Sequence, residues 1–86
     1  MQVSVYDTYV TRTDGSVMHF DILVPSSLTS EATIHEYGST YLTTKGQAGQ
    51  PLTTKECRFC HIEQATDEIR VSIAYQGFHI IEMQGC

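Results

Sequence analysis

Basic residues are scarce in this chain. Only five of its 86 residues are Lys or Arg, against ten Asp and Glu, so the formal net charge is -5. Binding to a nucleic-acid backbone requires clustered cations that displace counterions. The basic residues are instead spread along the sequence, at Arg12, Lys45, Lys55, Arg58 and Arg70. Neither nucleic acid nor an anionic membrane surface is therefore expected as a partner.

Long apolar runs are also absent. The longest wholly apolar segments, such as Ile22-Leu23-Val24, are far shorter than the roughly 20 residues that cross a bilayer. The first residues lack the basic and apolar regions of an export signal. Cysteine occurs three times, and an odd number makes a poor disulfide framework. These absences predict a cytoplasmic protein whose thiols are reduced.

Tryptophan is missing too, so five Tyr and three Phe supply the aromatic packing. The hydrophobic content of 41% is enough for one core, whereas a disordered chain would be less apolar and more unevenly charged. A chain of this length rarely divides further. The composition therefore predicts a single α/β domain over residues 1–86.

The first third of the chain predicts a β-hairpin. Residues 3–11 and 17–24 are β-rich, and Asp14-Gly15 between them suits a tight turn that needs positive φ. Alternation on the second strand separates a core face from a wetter face that carries His19 and Asp21. The core face comprises Met18, Phe20, Ile22 and Val24.

Two helices and a last strand are expected after the hairpin. Capping residues before Glu31 and helical spacing of apolar residues favour a first helix, with Gly38 marking close approach to the sheet and Gly46 the end. Thr66 caps a second helix over residues 67–76. The segment 78–83 is apolar on both faces and is expected inside the sheet. The prediction is an α+β two-layer sandwich: a small mixed sheet, formed by the hairpin and the C-terminal strand, with both helices on one face.

The most distinctive motif is Cys57-Arg58-Phe59-Cys60-His61. Two thiolates three residues apart can bind one ion from a tight turn, as in a zinc half-site, and Cys86 and His61 are further candidate ligands. The same spacing is found in dithiol redox sites. Attachment of c-type haem is disfavoured because it normally follows export. Zinc is thus a possible cofactor at Cys57, Cys60, His61 and Cys86.

A purely structural interpretation of the motif competes with these. Buried cysteine packs as a small hydrophobe, so Cys60 and Ile62 could simply fill the core. The backbone decides between the alternatives. On an extended strand Cys57 and Cys60 point to opposite faces, whereas on a helical turn they share one. Residues 57–64 are ambiguous between a turn and a strand.

A polar group on the hairpin is a further candidate. His19 and Asp21 share a face and could form a small site with Thr8 across the hairpin, suited to acid–base chemistry or metal binding. Asp7 is unusual, because it alternates with Val3 and Val5 on an expected core face, where an unpaired carboxylate is costly. It would be tolerated if it capped the backbone N–H groups of a loop, or if it lay beyond the covered part of the sheet. A structural role is expected for two other histidines, His35 and His79.

Five blocks are distributed along the sequence: Val5-Tyr6-Asp7-Thr8-Tyr9-Val10, Met18-His19-Phe20-Asp21-Ile22, Gly46-Gln47-Ala48-Gly49-Gln50-Pro51-Leu52, Glu56-Cys57-Arg58-Phe59-Cys60-His61-Ile62-Glu63 and Ile80-Ile81-Glu82-Met83-Gln84-Gly85-Cys86. In these blocks, and so over nearly its whole length, the chain resembles the DUF2024 family of small bacterial proteins. The resemblance implies a small stand-alone α/β domain. It implies no activity, substrate or cofactor.

Two classes of function follow from the sequence. The first is metal-binding or thiol-redox chemistry at Cys57 and Cys60. The second is a non-catalytic interaction module that binds a protein partner through a sheet edge or the His19/Asp21 face. A protein partner or a homo-oligomer is the kind of assembly expected. An enzyme using Asp7, His19 or Asp21 as acid–base groups is a third hypothesis and would require a pocket among them.

Overall fold

Four strands and two helices make up the chain, and the computed structural model describes all residues from 1 to 86. The elements are β1 (Gln2–Thr11), β2 (Val17–Pro25), α1 (Glu31–Thr44), β3 (Cys57–Gln64), α2 (Asp67–Gln76) and β4 (His79–Gln84). The strands form one sheet in the order β3-β1-β2-β4. The α+β class is confirmed.

The sheet is antiparallel throughout, not mixed as predicted. The hairpin strands β1 and β2 form its centre, and each outer strand pairs with the hairpin strand that runs in the opposite direction to it. The hairpin turn is as expected: Asp14 accepts hydrogen bonds from the backbone N–H and hydroxyl of Ser16, and Gly15 adopts a φ of 89°. This turn fixes the β1–β2 register.

Both helices begin at the predicted caps. The hydroxyl of Ser30 accepts a hydrogen bond from the backbone N–H of Thr33 at the start of α1, and Thr66 does the same for Ile69 at the start of α2. A Cβ added at Gly38 would lie 3.0 Å from Cδ1 of Ile22 on β2. The prediction that α1 approaches the sheet closely at this glycine is therefore confirmed.

The two helices lie on opposite faces of the sheet, so the prediction of both on one face is wrong. Alternation along the strands produces two apolar faces, and each needs its own cover. On the α1 face, Met18, Phe20, Ile22 and Val24 of β2 pack with Ile34, Tyr41 and Leu42 of α1. On the α2 face, Val3, Val5 and Leu23 pack with Ile69 of α2. The result is three layers instead of the predicted two, with the four-stranded sheet as the middle layer.

Strand β4 is an edge strand, contrary to the prediction that it lies inside the sheet. Its apolar character on both faces has another cause. Ile80 packs against the α1-face core and Ile81 against the α2-face core, so the two helices cover the strand from either side. The ambiguous segment at residues 57–64 is the opposite edge strand, β3. No helix of the protein has the length and apolarity needed to span a membrane.

Candidate functional site

A cluster of two carboxylates and one imidazole lies on the α2 face, beyond the area that α2 covers. The side chains are Asp7 of β1 with His19 and Asp21 of β2, and their potential ligand atoms all lie within 4.8 Å of one another. No other group of three or more His, Cys, Asp or Glu side chains in the chain meets that condition. This cluster is the candidate site.

The strand register brings these residues together. Asp7 is directly opposite Asp21 in the β1–β2 ladder, and Tyr9 is opposite His19. The preceding pair on the same face is Val5 and Leu23, both covered by α2. Polar residues therefore begin where the helical cover ends, which allows charged groups without burying them completely.

His19 is held from two sides. Its Nε2 lies 2.5 Å from Oδ1 of Asp7, a hydrogen bond between side chains that are both only partly exposed. The ring of Tyr9 stacks on the imidazole, with centroids 4.1 Å apart and planes 11° from parallel. A carboxylate that contacts one ring nitrogen orients the imidazole for metal binding or proton transfer.

Asp21 is the least exposed member of the cluster, at 8%. Burial raises the pKa of its carboxyl to about 6, and the neighbouring Asp7 adds to the rise by hydrogen bonding and by charge repulsion. The imidazoles of His19 and His61 act in the opposite direction. Because the two carboxylates lie together in partly desolvated surroundings, a proton or a cation bound between them would reduce their repulsion.

The sequence predicted this cluster in part. That His19 and Asp21 share a face is confirmed, because the ligand atoms of both lie within 4.8 Å of each other and of Asp7. The expected partner Thr8 is wrong: it is fully buried and its hydroxyl donates to the carbonyl oxygen of Tyr6. The third member of the cluster is Asp7 instead. It lies beyond the part of the sheet that α2 covers, which is one of the positions in which its carboxylate was expected to be tolerated. Counting residues back from the Asp14-Gly15 turn would have identified the Asp7–Asp21 pair.

The cysteines of the sequence motif are in different surroundings. Cys57 is buried in the α1-face core, where burial raises the pKa of its thiol. Cys60 is exposed on β3. The structural interpretation was thus right about packing but wrong about the residues, because Cys57 fills the core while Cys60 and Ile62 face solvent.

A β-bulge interrupts β3 at Cys60. Opposite β1, Phe59 pairs with Tyr6 and His61 pairs with Val5, which leaves Cys60 as the extra residue. On a regular strand neighbouring side chains point to opposite faces, but here Sγ of Cys60 lies 3.2 Å from Nδ1 of His61. The other ring nitrogen, Nε2, lies 3.3 Å from Oε1 of Glu63. The bulge therefore creates a Cys–His–Glu series on the edge strand.

The four candidate metal ligands do not converge as a set. Cys86 lies at the opposite edge of the sheet, where its thiol contacts the carbonyl oxygen of His19 at 3.4 Å. Cys57, Cys60, His61 and Cys86 are absent from the one compact donor group of the structure. Of the two histidines expected to be structural, His79 contacts the hydroxyl of Ser72 on α2 at 2.8 Å.

The single surface cleft, of about 260 Å³, lies elsewhere, between α1 and the start of β4. Its lining includes Tyr41, whose hydroxyl donates a hydrogen bond to Glu82. The acid–base hypothesis required a pocket among Asp7, His19 and Asp21. None of those residues lines the cleft.

Comparison with known proteins places the chain. The profile of the family described as "Domain of unknown function (DUF2024)" matches residues 1–83. The NMR structure of protein NE1680 from Nitrosomonas europaea, a structural-genomics target, is similar with a TM-score of 0.86 and 42% identity, over 100% of this chain and 99% of that one. None of the curated proteins matches. The chain belongs to the DUF2024 family.

Proposed function

We propose that this protein binds a divalent transition-metal cation through Asp7, His19 and Asp21. The observation that carries the proposal is the convergence of two carboxylates and an imidazole, with ligand atoms within 4.8 Å and one carboxylate 8% exposed. Carboxylate oxygen and imidazole nitrogen together suit Zn²⁺, Mn²⁺ or Fe²⁺.

The electrostatics of the cluster support a cation. The two facing carboxylates repel each other, and this repulsion contributes to the raised pKa of Asp21. A divalent ion would neutralise both charges, and at acid pH it would have to displace the proton of Asp21. Three protein ligands would leave a coordination position for water or a small anionic ligand, which is the ligand number of many catalytic zinc sites.

Calorimetric titration of the chelator-treated full chain with ZnCl₂ and MnCl₂ tests the proposal. One equivalent of metal is expected, with affinity that increases as the pH rises through 6, because the Asp21 carboxyl must lose its proton to bind. Asp21→Asn removes one of the proposed ligands and should weaken metal binding at least tenfold. Even the loss of a residue that only supports a ligand typically lowers metal affinity by about 10–100-fold. Asp67→Asn, an exposed carboxylate on α2, is the matched control and should bind as the parent does.

Two results would contradict the proposal. One is the absence of heat and of any mass increase under native electrospray for both metals. The other is binding that survives Asp21→Asn but is lost in Cys60→Ala, which would assign the metal to the thiols instead. Backbone amide spectra of each variant establish that the fold is retained.

Thiol chemistry is the second candidate function, now centred on Cys60. The supporting observation is the series formed by Cys60, His61 and Glu63, with separations of 3.2 and 3.3 Å. A thiol beside an imidazole that is oriented by a carboxylate is the arrangement of many reactive cysteines. Joint dithiol chemistry at Cys57 and Cys60 would additionally require Cys57 to leave the core.

Alkylation by iodoacetamide tests this second candidate. His61→Gln should slow the reaction of Cys60 several-fold near neutral pH, while the rate at Cys86 in the same molecule serves as the internal control. Equal rates at Cys60 in the parent and the variant would remove the basis for a reactive thiol.

All three cysteines are free, in keeping with the proposed reducing cytoplasmic location.

A further inference from the structure

Strand β3 is a sheet edge with unusual exposure. From Arg58 to Gln64, every residue of the strand is exposed on both faces of the sheet. Two of these are large and apolar, Phe59 at 55% and Ile62 at 50% exposure. An open edge offers unpaired backbone N–H and C=O groups to another strand.

We propose that β3 pairs antiparallel with β3 of a second copy of this chain, forming a continuous eight-stranded sheet across a two-fold axis. The axis would pass through the bulge at Cys60 and His61. A symmetric edge pairing of this kind is isologous, so each contact occurs twice.

The bulge makes the strand symmetric about this axis. In the β1–β3 register Arg58 is opposite Asp7 and Glu63 is opposite Val3, so both belong to the α2 face. Phe59 and Ile62 pair with Tyr6 and Ser4 on the α1 face. Without the extra residue, side chains an odd number of positions apart would point to opposite faces. With it, residues equidistant from the bulge share a face.

The side chains that this symmetry juxtaposes are complementary. Arg58 would lie opposite Glu63 of the second copy on one face, and Phe59 opposite Ile62 of the second copy on the other. Opposite charges and aromatic–aliphatic pairs are the cross-strand pairs that stabilise antiparallel ladders. Within its own chain Arg58 has no carboxylate partner, and Glu63 contacts only the imidazole of His61.

The opposite edge is less suited to this role. The first three residues of β4, from His79 to Ile81, are partly covered by the helices, whereas β3 is exposed beyond its first residue. On β4, Glu82 is already engaged by the ammonium of Lys45 at 2.6 Å and by the hydroxyl of Tyr41. The charged side chains that are free to pair with a second copy, Arg58 and Glu63, are therefore on β3 and not on β4.

Sedimentation velocity on the full chain tests the dimer over about a hundredfold range of protein concentration. The expected species has twice the mass of the 9.6-kDa chain. Arg58→Glu and Glu63→Arg should each raise the dimer dissociation constant by about tenfold or more, because like charges then face each other across the axis. The double variant with both substitutions should restore the affinity. Arg70→Glu, the same charge change on exposed α2, should leave it unchanged.

Hydrogen exchange identifies the edge independently. Protection of backbone amides in residues 57–64 should increase with protein concentration, while amides in residues 79–84 should not respond. Three outcomes overturn the proposal: a single-chain mass at all concentrations, a dimer that the double charge reversal does not restore, or concentration-dependent protection confined to β4. The first would leave β3 open to an extended peptide of a different protein.

Discussion

Asp7 and Asp21 are direct partners in the central β1–β2 ladder, so their carboxyl groups share one partly desolvated space. Like charges directly opposite each other weaken a strand pair. A position of this kind persists only if a proton, a cation or nearby imidazoles offset the repulsion. His19 lies against Asp7, and His61 acts on Asp21 from β3. The pair thus links the stability of the fold to the chemistry of the site.

Asp21→Asn should change how stability depends on pH in metal-free buffer. The pKa of Asp21 is raised in the folded state to about 6, above the usual value of about 3.9, so folding favours its protonated form. Protonated Asp21 therefore stabilises the folded state fully below about pH 4, and this stabilisation is lost as the pH rises through 6. The variant should therefore be more stable than the parent at pH 7, by about 1 kcal/mol after allowance for solvent screening.

Urea unfolding of parent and variant at pH 4 and pH 7 measures this difference. The Asp67→Asn variant supplies the control for removing one acidic group. A difference in free energy of unfolding that is the same at both pH values would contradict the shared-proton description of Asp7 and Asp21.

Thiol labelling should distinguish Cys57 from the other two cysteines. Cys60 and Cys86 are exposed, whereas Cys57 is buried and burial raises its pKa. A disulfide reagent should therefore modify two thiols rapidly in the native protein and the third only as fast as the chain unfolds. Mass spectrometry of the labelled peptides makes the assignment. Rapid labelling of Cys57 together with Cys60 would show that the two thiols can act together.

Gly77→Ala should destabilise the protein more than Gly46→Ala. Both glycines have positive φ, of 95° and 70°, so each substitution carries a backbone cost of about 1 kcal/mol. At Gly77 the added Cβ would also lie 2.5 Å from the hydroxyl oxygen of Tyr37, whereas at Gly46 it meets open space. Thermal unfolding of the pair isolates the contact. Equal losses would mean that Tyr37 moves aside freely.

Tyr41→Phe should remove a stabilising contact between α1 and β4. The hydroxyl of Tyr41 donates to Oε2 of Glu82 at 2.5 Å, and a hydrogen bond to a charged acceptor is worth about 1.5–3 kcal/mol. Hydrogen bonds to the Glu82 carboxyl, the larger effect from Lys45 and the smaller from Tyr41, hold its pKa below the usual range. That pKa should rise in the variant, as measured by NMR of the side-chain carboxyl carbon.

The exposed Tyr75 provides the control for this prediction, since it is 89% exposed and Tyr75→Phe should change neither stability nor the Glu82 titration. The sign of the pH effect follows from the lowered pKa. The stabilisation that Glu82 contributes is present above its unfolded-state pKa and is lost as the pH falls, so parent and Tyr41→Phe should converge in stability under acid conditions.

Local signals in the sequence were sufficient for the elements themselves. Asp14-Gly15 identified the hairpin turn, Thr66 the start of α2 and Gly46 the end of α1, because each of these acts through hydrogen bonds or φ angles within a few residues. The shared face of His19 and Asp21 followed from the two-residue period of a strand.

Long-range relationships were beyond those signals. The apolar faces of β4 indicated cover on both sides, but not whether strands or helices supplied it. Likewise, residues 57–64 alone could not predict the bulge at Cys60, because a bulge exists only relative to the residues that β3 pairs with on β1. The Cys-x-x-Cys spacing therefore suggested that Cys57 and Cys60 act together, whereas one thiol is buried and the other is exposed.

By itself the sequence determined the α+β class, the family and the residue types available for chemistry, since periodicity, caps and composition act locally or in bulk. Only the tertiary structure decided which of those residues meet. Asp7 joins His19 and Asp21 because the hairpin register sets β1 and β2 side by side at these positions, while Cys57 and Cys60 differ in exposure because only the first residue of β3 reaches the α1-face core. Contact between side chains depends on pairing across the sheet, and pairing is a property of the folded chain.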